Sequence, residues 1–456
     1  MEKKTASNKI LWIFAVGQLG WSMLSGIVTN LLVFFYLPGE EALSDGQQLF
    51  ITLGKFIGLT VIGIISAVGR LFDAFTDPLI AGRSDRLRHK LGRRIPFMRY
   101  AAIPFGVVTV LMFISPVNGE STLNSVTLFF CAMLFYLCMT CYCTPYNALI
   151  PELGSTQESR INLSTFISIT YFFGTAIAYV VPVMAGMLRS TAGYAGSYRI
   201  SIAIIAAVAV VCMLVPAFLI DENKYADTTP SESSAFSSLA STFRNKQFRT
   251  FVASDILYWI ALTLFQTGLL FYVTELMGLK ESMSTMLFII MSVVSLCFYV
   301  PVNIISKKTG KKKPVAFAFI FFSLTFLVTA FAGKTGIPSL AYGVIIAVLA
   351  ALPMAILGIL PQAVVADIAE SDKLDTGENR QGMFYAARTF AFKLGQSVAM
   401  LIFTSVATIG KSSGLGYRLT AVIAAVLCLL GGIVFLKYNE SQVLSRIESN
   451  KEDNNA

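Results

Sequence analysis

The chain has 456 residues, of which 55% are hydrophobic and 13% are charged, and its formal net charge is +9. A soluble domain carries about 25% charged residues, so the composition excludes an ordinary soluble domain and indicates a helical membrane protein. The basic residues form short clusters between apolar runs, as in cytoplasmic loops, which argues against nucleic-acid binding. The seven cysteines show neither metal-ligand spacing nor the pattern of a disulfide framework.

Apolar runs of about 20 residues or more predict twelve transmembrane helices in chain order. The predicted ranges are 10–37, 48–80, 97–115, 125–150, 162–188, 199–220, 249–276, 283–305, 314–333, 339–366, 381–409 and 417–437. The first run is too long for a cleavable signal peptide and lacks a small-residue cleavage site. We therefore predict an all-α polytopic membrane protein.

A polar segment at 221–248, rich in Ser, Thr, Asp and Lys, divides the predicted helices into two sets of six. Its composition predicts a flexible cytoplasmic linker. The predicted domains are a six-helix bundle at 1–220, a second bundle at 249–440 and a polar cytoplasmic tail at 441–456.

The second predicted helix carries Asp73 and Asp77 in an otherwise apolar stretch. Their four-residue spacing places both carboxylates on one helix face. A carboxylate costs roughly 2.5–3.5 kcal/mol at the bilayer centre, and two neighbours repel unless a cation, a proton or a basic side chain lies between them. The pair therefore predicts an ion-coupling site. In the structural alternative, Asp77 and Pro78 end the helix and Arg70 neutralises Asp73.

Lys and Arg collect in the loops at 83–94, 244–249 and 307–313, whereas the loops at 38–47 and 116–124 contain neither. The positive-inside rule therefore predicts that both termini are cytoplasmic. Four basic residues fall on the predicted outer side: Arg189, Arg199, Lys280 and Lys411.

Similar basic loops follow the second helix of each half, at Gly82–Arg94 and Ser306–Pro314. Paired halves with matching loops are typical of transporters built from parallel repeats. Ordinary positive-inside charge explains the lysines alone. It does not explain the ordered Gly-x-x-Asp-Arg…Gly-Arg-Arg string of the first loop.

The first of these loops resembles the loop motif of the major facilitator superfamily. Three further regions resemble the glycoside–pentoside–hexuronide:cation symporters, the melibiose-carrier family. They are Arg70–Pro78 with Gly92–Phe97, Pro145–Leu153 with Glu158–Leu163, and Ala366–Asp372 with Thr376–Tyr385 and Phe392–Gln396. The resemblance covers essentially the whole chain. It implies a multi-pass carrier of the bacterial cytoplasmic membrane, without enzymatic activity or a cofactor, that moves a glycoside, sugar or sugar acid with a cation by alternating access.

The resemblance implies that Asp73 and Asp77 bind the cation, that Thr140 supplies a hydroxyl ligand and that Lys393 approaches the acids. A lysine within an apolar helix needs a carboxylate partner, although a snorkelling position at a helix end is the alternative for Lys393. Sodium requires several oxygen ligands, whereas a proton requires a single carboxylate. The acids and the hydroxyl favour sodium, with Asp73 and Asp77 as its ligands, but the sequence leaves both ions open.

A gate at the cytoplasmic mouth is also expected, formed by charged residues of the loops and of the tenth helix. Its predicted members are Asp85, Arg86, Arg93, Arg94, Arg160 and Asp367. Glu370 and Asp372 are predicted to lie at the same mouth, where acids can pair with loop arginines.

The substrate site departs from the family pattern. The acids that sugar-carrying members have on the first and fourth helices correspond here to Ser22 and Cys143, and the fifth helix at 161–188 contains no charged residue. Extra residues also occur at about 40–58. The remaining predicted substrate-binding residues, all polar or aromatic, are Gln18, Tyr142, Asn147, Tyr171, Trp259 and Gln266. Trp259 can stack on a sugar ring or line an apolar cavity, and Asp255 is either a substrate contact or a helix-entry acid.

Other functions fit part of this pattern. A carrier of a lysolipid or an organic anion fits the uncharged fifth helix, and a non-transporting sensor would retain the acids without using them. The predicted partners are a small solute, a coupling cation and the lipid bilayer, with no nucleic acid, and the chain is predicted to be a monomer.

Overall fold

The computed structural model describes residues 5–52, 54–56, 58–225, 241–377, 381–410 and 413–453. These residues are mostly helical, and nine stretches among them are long and apolar enough to cross a membrane. The predicted helical membrane architecture is confirmed at this level, whereas the number of twelve crossings and the orientation of the termini stay predictions. The chain forms two compact units: Met1–Ser233 with Glu281–Thr285, and Ser234–Lys280 with Met286–Ala456.

The first unit contains five long helices, one shorter apolar helix and two short ones. They are α1 (Asn8–Tyr36), α2 (Glu40–Ser44), α3 (Val61–Arg86), α4 (Ile95–Leu111), α5 (Thr122–Leu153), α6 (Gln157–Ala178), α7 (Val181–Leu219) and α8 (Glu222–Tyr225). Helix α1 packs against α6 and α7, α4 packs against α5 and α7, and α3 packs against α5. Glycines allow the closest of these approaches, because a Cβ atom at Gly20 would lie 2.4 Å from a carbonyl oxygen of α7.

Helix α3 begins later than the sequence predicts, at Val61 and not near residue 48. Two antiparallel strands of two residues each precede it, in which Lys55–Phe56 pairs with Leu59–Thr60. The Thr60 hydroxyl accepts a hydrogen bond from the Gly63 amide at 3.2 Å and so caps the helix. At its other end, α3 continues past Pro78 to Arg86, so the alternative in which Asp77 and Pro78 end the helix is wrong.

The predicted fifth and sixth helices meet in one apolar stretch, Asn162–Leu219. Helix α6 ends at Ala178, and Pro182 lies in the first turn of α7, where its missing N–H leaves no helical hydrogen bond unmade. Gly193 breaks the helical conformation within α7, with φ 68° and ψ −179°. The break lies between the two predicted ranges, because glycine adopts this backbone conformation without a side-chain clash.

The second unit contains α9 (Lys246–Phe271), α10 (Ser282–Thr309, whose first four residues belong to the first unit), α11 (Lys312–Ala330), α12 (Ser339–Thr376), α13 (Gln381–Val406), α14 (Leu415–Phe435) and α15 (Glu440–Asp453). Helix α9 packs against α13 and α14, and α11 packs against α12 and α14. The first unit has the same scheme, in which α1 contacts α6 and α7. The predicted internal repeat therefore extends from the loops to the helix packing.

The predicted linker 221–248 includes α8 and the first residues of α9. Its centre at 226–240 lies outside the described residues, so its flexibility stays a prediction. All seven cysteines lie within the described residues and are free thiols, as the sequence predicts.

Candidate functional site

Asp73 and Asp77, the predicted coupling acids, lie on α3, and each accepts a hydrogen bond from a threonine of α5. The Thr140 hydroxyl donates to Asp73 at 2.8 Å, and the Thr144 hydroxyl donates to Asp77 at 3.1 Å. Both pairs join residues that are 67 positions apart, so α3 and α5 run in parallel with a constant register. Asp73 is fully buried and Asp77 is half-buried. We call this arrangement the acid–hydroxyl ladder.

A close helix contact positions this ladder. A Cβ atom at Gly69, one turn before Asp73, would lie 2.4 Å from the Tyr136 ring, so glycine is what lets α3 approach α5 here. The buried Arg70 lies over the same ring, with its Cζ 5.3 Å from the ring centroid, and donates to the Thr29 hydroxyl at 2.8 Å. Arg70 thereby links α3 to α1 and α5, one turn before Asp73 along the helix.

The acid–hydroxyl ladder is suited to a cation. A threonine hydroxyl that donates to a carboxylate keeps its lone pairs for another partner. Two carboxylates and two such hydroxyls together form a set of oxygen ligands, which hard cations prefer. Thr76 adds a third hydroxyl, whose oxygen lies 3.2 Å from that of Thr140.

Lys393 belongs to the second unit, where it lies near the middle of α13 and is 9% exposed. This place does not fit a snorkelling residue at a helix end. Its predicted approach to Asp73 and Asp77 stays a prediction.

Two predicted substrate residues of the first unit serve helix packing. The Ser22 hydroxyl donates to the Leu19 carbonyl at 3.0 Å, and a Cβ atom at Gly174 would lie 1.9 Å from Ser22 Oγ, so Ser22 lies in the contact between α1 and α6. Tyr142 is fully buried and donates to the Met213 carbonyl at 2.9 Å. Both hydroxyls donate to backbone carbonyls, and their contact with a substrate stays a prediction.

The other four predicted substrate residues of the first unit differ in exposure. Gln18 is buried, Cys143 is half-buried, and Asn147 and Tyr171 are exposed. Their contact with a substrate stays a prediction.

In the second unit, Trp259 stacks on Phe392 with ring centroids 4.6 Å apart, so one indole face is covered. Gln266 is half-buried on the same helix, α9. Asp255 is not a helix-entry acid, since α9 begins at Lys246, and it forms a buried two-point ion pair with Arg388, at 2.8 Å and 3.0 Å. Its contact with a substrate stays a prediction. Sequence reasoning missed Arg388, although a charged residue in an apolar helix signals the need for a partner.

Three of the predicted gate residues meet at the end of α3. Arg94 forms an ion pair with Glu152 of α5 and lies 3.6 Å from Asp85, and Arg93 lies 3.5 Å from Glu152. Arg86 is exposed, and the side chain of Arg160 lies outside the described part of the chain. The remaining predicted gate residue, Asp367, forms an ion pair with Lys311 in the second unit.

A buried carboxylate caps the helix that follows the first basic loop. Glu222, just after α7, accepts hydrogen bonds from the backbone N–H groups of Arg94 and Ile95 at 2.8 Å and 2.9 Å. The negative charge at the start of α4 complements the helix dipole. Gly92, with φ 101°, turns the chain beside this carboxylate, in a conformation that favours glycine.

The second unit repeats this cap. Glu440, just after α14, accepts from the backbone N–H groups of Lys311 and Lys312 at 2.6 Å and 3.0 Å, and Gly310 has φ 80°. The matching loops of the sequence therefore have matching hydrogen bonds. Burial raises the pKa of the nearby Tyr438 phenol well above its usual value, and the charges of Asp367 and Glu440 raise it further.

A cluster around Glu281 was not predicted. Glu281 accepts hydrogen bonds from Arg189 at 2.9 Å, from Tyr198 at 2.7 Å and from Tyr194, and Arg189 also pairs with Asp45 at 2.8 Å. All five residues belong to the first unit. Arg189 is one of the basic residues on the predicted outer side, and the cluster explains its presence there because two acids neutralise it. No local sequence signal could have found contacts between residues so distant along the chain.

The repeated helix packing and the buried acid–hydroxyl ladder define a class, that of multi-pass membrane carriers built from two repeats. The chain matches the MFS/sugar transport protein family over residues 13–439 and belongs to that family. The predicted place among the melibiose-carrier-like symporters of the major facilitator superfamily is confirmed.

Relatives of known name support this placement. The isoprimeverose transporter of Lactiplantibacillus pentosus is 22% identical over 96% of this chain and 83% of its own length. The sodium-dependent lysophosphatidylcholine symporter 1 of Xenopus tropicalis is 24% identical, over 82% of this chain and 79% of its own. An uncharacterised symporter of Synechocystis is 34% identical over 145 residues, which are 31% of this chain and 25% of that protein.

Among solved structures, a mutant form of the nucleoside transporter NupG superposes with a TM-score of 0.69 and 10% sequence identity. The superposition covers 94% of this chain and 100% of that one. At this identity the likeness concerns the fold alone.

Proposed function

We propose that this protein is a symporter of the bacterial inner membrane that couples the uptake of a sugar, glycoside or sugar acid to the entry of a cation. The acid–hydroxyl ladder of α3 and α5 carries the proposal. Family membership and relatives named as an isoprimeverose transporter and a putative sulfoquinovose importer support the substrate class.

Coupling follows from the charges of the ladder. With no cation bound, Asp73 and Asp77 repel each other one turn apart. A bound cation neutralises the pair and lets the loaded carrier change between its two states, so that solute and ion move together. If one net charge crosses the membrane per cycle, each 100 mV of membrane potential contributes about 2.3 kcal/mol to transport.

Sodium is the ion that the ladder favours. A proton would need a single carboxylate, and the alignment of Thr140 and Thr144 beside the two acids would then have no role. Lys393 is proposed as the positive charge that balances the acids when the ion has left.

The charged clusters at the helix ends are proposed to govern access. Glu152 and Asp367 pair with Arg93, Arg94 and Lys311 of the basic loops, which the positive-inside rule assigns to the cytoplasm. The Glu281 cluster instead includes Arg189, on the predicted outer side. Their ion pairs would have to break and re-form as access alternates.

A lysolipid carrier is the second candidate function. The relative from Xenopus is named a lysophosphatidylcholine symporter, and residues 161–188 contain no charged group that would grip a sugar. The same ion ladder would serve such a substrate.

Uptake into proteoliposomes under a sodium or a proton gradient tests the proposal. Asp73→Asn and Asp77→Asn are expected to abolish gradient-driven accumulation, because one carboxylate no longer makes a charge pair, while exchange of solute across the membrane persists. Asp375→Asn, which alters an exposed acid of α12, is the control and should accumulate normally.

Accumulation at the wild-type level in both ladder variants would show that the acids do not couple transport. Gradient-driven uptake of lysolipids in place of sugars would favour the second candidate.

A further inference from the structure

Helices α9 and α13 of the second unit run side by side with a constant register. Three contacts join residues 133 positions apart in the chain. They are the Asp255–Arg388 ion pair, the Trp259–Phe392 ring stack and a hydrogen bond of 3.9 Å from the Thr267 hydroxyl to the sulfur of Met400. On α9 these contacts begin at positions that differ by multiples of four, so they follow one stripe that winds slowly around the helix.

We call each pair of facing residues in this series a rung. One rung has buried polar atoms without hydrogen bonds. Between the ring stack and the contact to Met400, the register places Thr263 opposite Gln396. These residues are 1% and 8% exposed, yet Thr263 Oγ1 and Gln396 Oε1 have no hydrogen-bond partner among the residues that the structure describes. The indole Nε1 of Trp259, one turn earlier, is also buried and lacks a partner within the described ranges.

Such a grouping calls for a physical explanation. Native proteins pair nearly all of their buried polar atoms, since an unpaired one loses its hydration without compensation. The neighbouring rungs are satisfied by an ion pair, an aromatic stack and a contact to sulfur. A ligand that brings its own polar groups would satisfy the remaining rung.

The unpaired atoms specify the chemistry of that ligand. Trp259 offers a donor, Gln396 offers an acceptor and the Thr263 hydroxyl can do both. A hydroxyl group of a sugar donates and accepts at once, so two neighbouring hydroxyls can satisfy all three atoms. A phosphate or a quaternary ammonium group cannot, because neither donates a hydrogen bond to Gln396 Oε1.

Building on the symporter function proposed above, we infer that Trp259, Thr263 and Gln396 are specificity-determining residues that bind two adjacent hydroxyl groups of a sugar. They are neutral, and they take over the recognition that charged side chains provide in relatives and that Ser22 and Cys143 do not provide here. Trp259 acts through its N–H, because Phe392 covers one of its faces. Gln396 lies one turn from Lys393 on α13, which brings sugar binding close to the residue proposed to balance the coupling ion.

The test uses the full-length protein in proteoliposomes with a transported sugar and its monodeoxy analogues. Thr263→Val and Gln396→Leu remove hydrogen bonding with little change of shape, and Trp259→Phe removes the indole N–H while it keeps an aromatic ring against Phe392. Each is expected to raise the KM for the sugar about tenfold while the ratio of ion to sugar stays unchanged. Thr267→Val is the matched control, since that buried hydroxyl of the next rung already contacts Met400, and its KM should stay within about twofold of the wild-type value.

The deoxy analogues assign the contact. With the wild-type protein, the analogue that lacks the bound hydroxyl should have a KM about tenfold higher than that of the parent sugar. With Gln396→Leu, the analogue and the parent sugar should have the same KM. Should Gln396→Leu fail to fold, as judged by its melting temperature, Gln396→Met replaces it. Unchanged sugar KM values in folded variants at all three positions would overturn the inference and leave the symport function standing. Absence of gradient-driven sugar uptake by the wild-type protein would instead overturn the proposed function.

Discussion

Thr140 and Thr144 link the sequence motif to ion chemistry. Each hydroxyl donates to a different aspartate, and each keeps its lone pairs beside that carboxylate. A valine of nearly the same shape would keep the packing of α5 against α3 and remove an oxygen ligand. Valine substitutions at these two positions can therefore test the proposed ion binding without disturbing the helix packing.

We expect Thr140→Val to weaken sodium activation of transport about tenfold, because one oxygen ligand and the hydrogen bond to Asp73 are lost together. The sodium dependence of initial uptake rates measures this change. Thr109→Val is the control, since that buried hydroxyl donates to a carbonyl of its own helix. Equal sodium activation in the two variants would remove Thr140 from the site.

At the residue scale, sequence reasoning identified the intramembrane acids and Thr140. Thr144 was missed, although its four-residue spacing from Thr140 repeats the spacing of the aspartates. The hydrogen bonds from Ser22 and Tyr142 to backbone carbonyls were not predicted, because a sequence does not reveal which carbonyl a buried hydroxyl contacts. Thr263 and Gln396 are ordinary polar residues in apolar helices, and their missing partners are visible only in the structure.

Among the helices, α9 and α13 are joined by a buried ion pair. Asp255 and Arg388 are each at most 5% exposed and share two hydrogen bonds. The attraction of such a pair offsets the cost of desolvating both charges, but it does so only while both partners remain.

Asp255→Ala is expected to destabilise the protein by about 3–5 kcal/mol, because Arg388 is left as an unpaired buried charge. The double variant Asp255→Leu with Arg388→Met should recover most of this loss. Unfolding in detergent, followed by tryptophan fluorescence, compares the variants with Asp375→Asn, an exposed control expected to change stability by less than about 1 kcal/mol. Equal stability of the single and double variants would contradict a charge-pair explanation.

The apolar runs located the helices well, but their ends followed local chemistry. The start of α3 is set by the Thr60 cap and by the two short strands before it, which an average over an apolar window cannot show. The separation of α6 from α7 and the break at Gly193 likewise depend on single residues. Helix ends therefore required capping contacts as well as hydrophobicity.

Across the whole molecule, the repeat is the best-predicted feature. Two similar loops in the sequence correspond to two carboxylate caps, from Glu222 and from Glu440, and to the same packing of helices within each unit. A repeat is visible in sequence because both copies must satisfy the same unpaired N–H groups at a helix start. The Glu281 cluster joins residues distant along the chain, and the sequence did not reveal it.

Ion binding should also stabilise the whole protein. When the ion concentration is 100 times its Kd, binding adds about 2.7 kcal/mol to the free energy of unfolding, which raises the melting temperature. We expect sodium chloride to raise the melting temperature of the wild-type protein relative to choline chloride at the same ionic strength. The shift should be absent in Asp73→Asn, and a shift of wild-type size in that variant would place the stabilising sodium elsewhere.

The constant 133-residue register of α9 and α13 limits how these helices can evolve. Inserting one residue within either helix would rotate everything beyond it by about 100° and separate all later partners at once. Substitutions can be accepted rung by rung, whereas a change of length cannot. Related carriers should thus differ in which side chains occupy these rungs and agree in the number of residues between them, so their length variation should be confined to the connecting loops.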